Sequence, residues 1–339
     1  MDPSIYVPAY LEHNYALAHP GLTPAGRELL HDEVLHDPDA YAADEHARSL
    51  VAYTRVHTHL MDELDRLEDA PSDEEFDQAR DQLFFETHLA LVKIWTNDHL
   101  CVDAHLVDIL LSGASLDDCL GDLMALEQSV REFLQRREDG FDAQAPHFWM
   151  TDDAEEAARR TSTDPVVIGW LHVLDCIAQG CLMTARYRAA AQYAHMVMRS
   201  AGYPNETVGT LLLALARLED EEGFFQAAEE MGGAADDSPW FLLARTVLFY
   251  KLDRMKSARR ALRALAARCE GGAFFLLNPT YHAPYLPDRP APREAWDRSH
   301  QAVWEADWII SDIPDFAGWA MTVDGVEDAS EAFARRYGF

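Results

Sequence analysis

Lysine is almost missing from this chain of 339 residues. Only Lys93, Lys251 and Lys256 stand among its 28 bases, against 59 acids. The formal charge of −31 repels phosphate backbones, so no nucleic-acid partner is expected. The richest basic stretch, Arg254 to Arg268, spreads its cations over a solvated helix face. Cysteine is sparse as well: Cys101, Cys119, Cys176, Cys181 and Cys269 contain no CxxC pair. They read as reduced, mostly core thiols of a cytoplasmic protein, not as a disulfide framework or a zinc site. No run of about eighteen uncharged apolar residues is present, so no membrane span is expected. The opening MDPSIYVPAYLEH lacks the basic and apolar regions of a secretory signal. GxSxG, GxxxxGKS/T, HExxH and GxGxxG are all absent, which removes the commonest enzyme signatures. No catalytic residue, metal or cofactor is assigned. Strand-like alternation is also nearly absent, which leaves an all-α chain.

Helix signals are plentiful. Thr23-Pro24 is a capping residue followed by proline at the first turn, and the helix it opens stops at Asp37-Pro38. The spacing predicts further helices over about Ala40–Leu67, Glu74–Trp95, Val102–Leu111 and Leu116–Leu134. Residues 138–164, with Asp139-Gly140 and the trio His147-Phe148-Trp149, read as a connecting segment whose aromatics plug onto neighbouring helices. A proline-rich turn follows Asn278-Pro279, then a helix over about Arg293–Ile310 and a short one over Glu327–Tyr337.

The centre of the chain repeats. Leu174, Ile177 and Ala178 are followed by Tyr187 and Ala190. Leu212, Leu215 and Ala216 are followed by Phe225 and Ala228, and Trp240, Leu243 and Ala244 by Met255 and Ala258. The anchor alanines lie 38 and then 30 residues apart, close on average to the 34-residue period of tetratricopeptide helix hairpins. The expected fold is therefore an all-α, tetratricopeptide-like solenoid with a C-terminal capping segment. Its parts are degenerate hairpins over 1–137, a connection over 138–164, three repeats over 165–270 and the cap over 271–339, in one continuous domain.

The order HFW (147–149), helix pairs, NPTYHAPYL (278–286) and PDFAGWA (314–320) resembles bacterial relatives of the suppressor of tumorigenicity 7 family. The resemblance covers about residues 100–320. It departs at Gly202-Tyr203-Pro204-Asn205-Glu206, where that group carries a sequence like NPNDN. It implies a tetratricopeptide-like helical fold with no established enzymatic activity, and it supplies no catalytic residue.

In repeats of this class the first helix of each pair lines the binding face. Mapped here, the first copy offers His172, Asp175, Gln179 and Leu182. The second offers Thr210, Leu213, Arg217 and Asp220, and the third Trp240, Leu243, Val247 and Tyr250. Arg217 is the only cation among them. The lining therefore suits an apolar or basic peptide, helix or protein surface, not a peptide carboxylate. The expected function is a non-enzymatic interaction scaffold; a face filled by residues 279–310 would overturn it. Two alternatives stay open: a metal-dependent or small-molecule-processing helical enzyme, and a structural subunit that homodimerises. Glu28/His31 and Glu33/His36 sit on one helix and cannot converge on one ion. His57 and His59 point to different sides of their helix, and His59 with Glu63 forms an ordinary surface pair. His88, His99 and His105, near Cys101, would gather only if the tertiary fold arranged it.

Overall fold

Proline behind a capping oxygen opens four of the helices. Asp2, Thr23, Asp164 and Ser238 each accept a backbone N–H of the first turn, and Pro3, Pro24, Pro165 and Pro239 follow them. Proline is tolerated there because the first N–H groups of a helix have no intrahelical acceptor. A computed structural model describes the chain except for residues 68–71, 138–140, 144, 146–147, 152, 201–206, 281 and 283–284. His147, the whole 202–206 motif and part of the 278–286 motif lie outside the described residues.

The described residues form an all-helical protein, with one isolated antiparallel bridge between Phe141 and Trp149 and no strand. In order, α1 is Pro3–Ala18, α2 Pro24–His36, α3 Glu45–Leu67, α4 Asp73–Asn97, α5 Val102–Leu111, α6 Leu116–Arg137, α7 Ala154–Thr163 and α8 Pro165–Met183. Then come α9 Tyr187–Met198, α10 Val208–Arg217, α11 Glu221–Glu230, α12 Pro239–Lys251, α13 Met255–Arg268 and α14 Gly272–Leu277. Last are α15 Asp297–Ser311, α16 Phe316–Met321 and α17 Val326–Tyr337.

Two compact units divide these helices. The first holds Met1–Leu174, Arg199–Pro204 and Leu286–Asp288; the second holds Asp175–Met198, Asn205–Tyr285 and Arg289–Phe339. The change of unit falls inside α8, not in the 138–164 segment. That segment is bound into the first unit by its aromatics: Phe148 and Trp149 are buried, and Phe148 meets Trp170 edge-on at 5.0 Å. The first unit's core gathers Tyr6, Val7, Leu11, Leu50, Tyr53, Leu60 and Leu91. Helix α8 is long and apolar enough to cross a membrane by length and composition, and 83% of that span is buried inside the protein.

In the second unit three hairpins turn in the same way. Ala185, Glu219 and Asp253 adopt left-handed backbone (φ 58°, 61° and 55°). The next residue's N–H bonds back to Cys181, Leu215 and Phe249 at 2.7, 3.1 and 2.8 Å. This is the six-to-one closure of a Schellman turn, and the three turns recur every 34 residues. After α15 burial recurs every ten residues: Ile313, Phe316 and Ala320, then Val323, Val326 and Ser330.

Helices α10 and α12 approach closely because Gly209 has no side chain. A Cβ there would lie 2.5 Å from Cδ1 of Trp240, whereas one on Gly121 in α6 would meet nothing within 4 Å. Gly209→Ala is expected to lower stability by about 1–3 kcal/mol. Gly121→Ala is expected to raise it by about 0.5–1 kcal/mol through helix propensity. Urea midpoints of the two variants check this; equal shifts would show that the α10–α12 approach is not close-packed.

Candidate functional site

The recurring turn fixes the repeat register. A spacing of 34 carries Asp175, Gln179 and Leu182 onto Gly209, Leu213 and Ala216, and then onto Leu243, Val247 and Tyr250. The predicted second set, Thr210, Leu213, Arg217 and Asp220, is thus displaced by about one helical turn. Alanine is an unreliable anchor here because buried small residues occur on several sides of these helices.

Most of the predicted lining is interior. His172, Asp175, Leu182, Thr210, Leu213, Trp240, Leu243 and Val247 are buried. Gln179, Arg217 and Tyr250 are half-buried. Asp220 is exposed and caps α11, accepting from Gly223 N at 3.0 Å. The second unit's face is filled by its own later residues. Arg289 donates through Nε and Nη2 to Glu305 (2.6 and 3.0 Å) and through Nη2 to Thr210 (3.1 Å). Trp240 Nε1 and Tyr285 OH donate to the same carboxylate at 2.9 and 2.8 Å. Arg217 pairs with Asp312 at 2.5 Å, and Tyr250 lies 4.8 Å from Trp319. Burial opposes charge on Arg289, but Glu305 outweighs it and holds the guanidinium ionised. Tyr285, Arg289, Glu305, Asp312 and Trp319 therefore lie against the face predicted for a partner, and Trp240, Leu243 and Leu213, expected as contact residues, are buried.

His172 belongs to the first unit. Its Nδ1 lies 2.9 and 3.0 Å from the Asp103 oxygens, and Tyr6 donates to Asp103 Oδ2 at 2.7 Å. This buried chain of polar groups ties α1, α5 and α8 together.

An open cleft lies elsewhere in the first unit. Helix α5 forms its floor, and α4 and α6 form its walls, around about 1110 Å³. The three histidines that needed the fold to gather them line it: His88, His99 and His105. They make no metal set, and no group of three or more metal-ligating side chains occurs among the described residues. His88 Nδ1 bonds Asp108 at 2.6 Å, Trp95 Nε1 bonds the same carboxylate at 3.0 Å, and His105 stacks on Trp95 at 4.2 Å. Burial holds His105 below the ordinary imidazole value, with Asp108 opposing and His99 reinforcing. Cys101 is buried apart from the cleft lining, with its thiol 3.9 Å from the Ser49 carbonyl. On α6 the lining residues Asp122, Ala125, Ser129, Phe133 and Arg136 follow helical spacing along one side. Ala125 and Ser129 are exposed, and so is Phe85 (59%) on the opposite wall. A signal for this existed in the sequence: Leu126 and Phe133 widen the apolar stripe of α6 beyond what one core face needs.

No protein-family model matches the chain, and no curated protein or solved structure matches it either.

The His172 cluster has a pH consequence. Burial pushes Asp103 up, but the His172 charge and hydrogen bond, with the Tyr6 hydroxyl, outweigh it and hold the carboxyl below its usual range. A depressed carboxylate contributes stability above the unfolded value near ~3.9, and loses it as pH falls through the lower folded value. Asp103→Asn is expected to cost about 3 kcal/mol at neutral pH. The gap should narrow in acid, once pH falls below the ordinary carboxyl range and through the lower folded value. Urea melts carried down through acid check this; a gap that stays constant throughout would overturn the assignment.

Proposed function

We propose that this protein is a non-enzymatic interaction module that seats an amphipathic helix of a partner protein in the α4–α5–α6 cleft. The occupant is apolar on one face and basic at its flanks. The observation that carries the reading is the cleft itself, an open space walled by two long helices, with no segment of the described chain filling it. A helix about 10 Å across would fill that volume over about 14 Å, between two and three turns. Exposed Ala125 and Ser129 let a second backbone come close, and Phe85 and Phe133 supply apolar contact. Asp81, Asp108 and Asp122 stand against Arg136 alone among the permanently charged lining residues, in a chain of net charge −31. That balance favours a basic flank and disfavours an acidic one.

The scaffold reading is thereby moved from the face of the central hairpins to the first unit. The hairpins α8–α9, α10–α11 and α12–α13 are read as tetratricopeptide-like repeats with α15–α17 as their cap, on the strength of the 34-residue turn. A solenoid of this type needs such a cap over its last apolar face. Five free cysteines fit a reducing cytoplasm.

A short leucine–lysine amphipathic peptide is the probe. It is expected to bind the full chain saturably, and Ser129→Trp, at an exposed position, is expected to weaken it about tenfold. The leucine–glutamate counterpart is expected not to bind. Equal binding of both peptides, or binding unaffected by Ser129→Trp, would sink the proposal. A wild type that dimerises in light scattering while Ser129→Trp stays monomeric would assign the cleft to a second copy instead.

A further inference from the structure

We infer that a second recess of the first unit, bounded by α1, α7 and the start of α8, is a binding site for a small organic anion: one oxyanion group on an apolar or aromatic body. Nothing in the helix-docking reading requires this recess, and its residues are separate from the cleft except for Leu100 and Val166 at the margin.

Its charge runs against that of the whole protein. Arg137, Arg159 and Arg160 line the recess, and Asp164 is the only carboxylate among its described lining residues. Two of these guanidiniums share one carboxylate. Arg159 donates Nε and Nη2 to Glu156 Oε2 at 3.0 and 2.6 Å, and Arg160 donates Nε to Glu156 Oε1 at 2.7 Å. Arg137 pairs with Asp164, whose other oxygen accepts Val166 N at 2.9 Å as the cap of α8. Arg159 and Arg160 thus share the single carboxylate of Glu156. Each guanidinium carries five N–H donors, and the Nη groups of Arg160 make no hydrogen bond among the described residues. The guanidinium of Arg160 lies over the Trp149 ring at 5.1 Å, a cation–π contact. Paired, partly oriented guanidiniums are the side chains best shaped for carboxylate and phosphate oxygens.

A separate observation comes from α3. His46 lines the same recess and commits Nδ1 to Asp98 at 2.7 Å, while its Nε2 is buried without a hydrogen-bond partner among the described residues. A buried imidazole nitrogen left unmatched is costly unless something arrives to meet it. With Nδ1 committed to Asp98, Nε2 is the ring nitrogen left for a ligand to meet. The positive field reaches His13 on α1 as well, which is pushed down by burial and by the Arg159 charge. The rest of the wall is apolar or aromatic: Tyr10, Leu17 and Trp149. The volume of about 480 Å³ falls in the range of about 300–1,000 Å³ that small-molecule sites occupy. A ring bearing one oxyanion fits both the polar and the apolar side.

Calorimetric titration of the full chain at constant ionic strength tests this, with phenyl phosphate, benzoate and inorganic phosphate as probes. Saturable one-to-one binding of phenyl phosphate or benzoate, tighter than inorganic phosphate, is the expected result, and the tighter of the two aromatic probes identifies the headgroup. The double variant Arg159→Gln/Arg160→Gln is expected to bind about tenfold more weakly or worse. Leu17→Trp, at a side chain 67% exposed and therefore tolerant of change, narrows the recess and is expected to weaken the aromatic probes while sparing inorganic phosphate. Absence of binding by both aromatic anions, or affinity unchanged in both variants, overturns the inference. Inorganic phosphate binding as tightly as phenyl phosphate overturns the apolar part of it.

Discussion

A guanidinium and a carboxylate shut away from water must answer one another completely, and Arg289 and Glu305, each with a side chain only 3% exposed, are held to that condition. Glu305 takes four hydrogen bonds on its two oxygens, from Arg289 twice, Tyr285 and Trp240. Loss of either charge would strand the other at a cost of about 3–5 kcal/mol. The pair need not stabilise the unit more than apolar residues of the same shape would. Its effect is to fix position: the donors can meet Glu305 only if α15 lies against α10 and α12 with the residues before it threaded alongside. Thr210 and Trp240, which in the sequence look like groove residues, are used in building that interior.

Helix existence was largely legible, and the reasons are local. Val102–Leu111 is found at its predicted bounds, and Leu116–Leu134 only extends to Arg137. The helix expected from Ala40 begins at Glu45, because Asp44 caps it by accepting Ala47 N at 2.7 Å. Helix α1 was not anticipated. Its apolar residues surround it on all sides and Pro8 lies within it, so it has no one-sided stripe to read. Helix α7 was absorbed into the supposed connection for the opposite reason, being mostly Ala, Glu, Arg and Thr with little apolar content.

Site legibility was poorer, because it depends on what covers a face. Trp240 and Leu243 have the composition of a contact surface and of a core alike; only the return of residues 285–319 decides between them. The gathering of His88, His99 and His105 required α4, the turn before α5, and α5 itself to meet around one opening. No spacing along the chain specifies that. The recess holding Arg137, Arg159 and Arg160 is harder still to foresee, since its cations are diluted among an acidic excess and become neighbours only when α6 ends beside α7. In both cases the side chains were visible and their proximity was not.

The three left-handed turns at Ala185, Glu219 and Asp253 also constrain how such a chain can change its length. Adding one residue within a helix would rotate everything beyond it by about 100° and turn buried positions outward. A change of 34 residues, the interval from one turn to the next, would keep the left-handed closures in register. It would still not be free, because Thr210 and Trp240 each hold one particular hairpin to the Arg289–Glu305 pair.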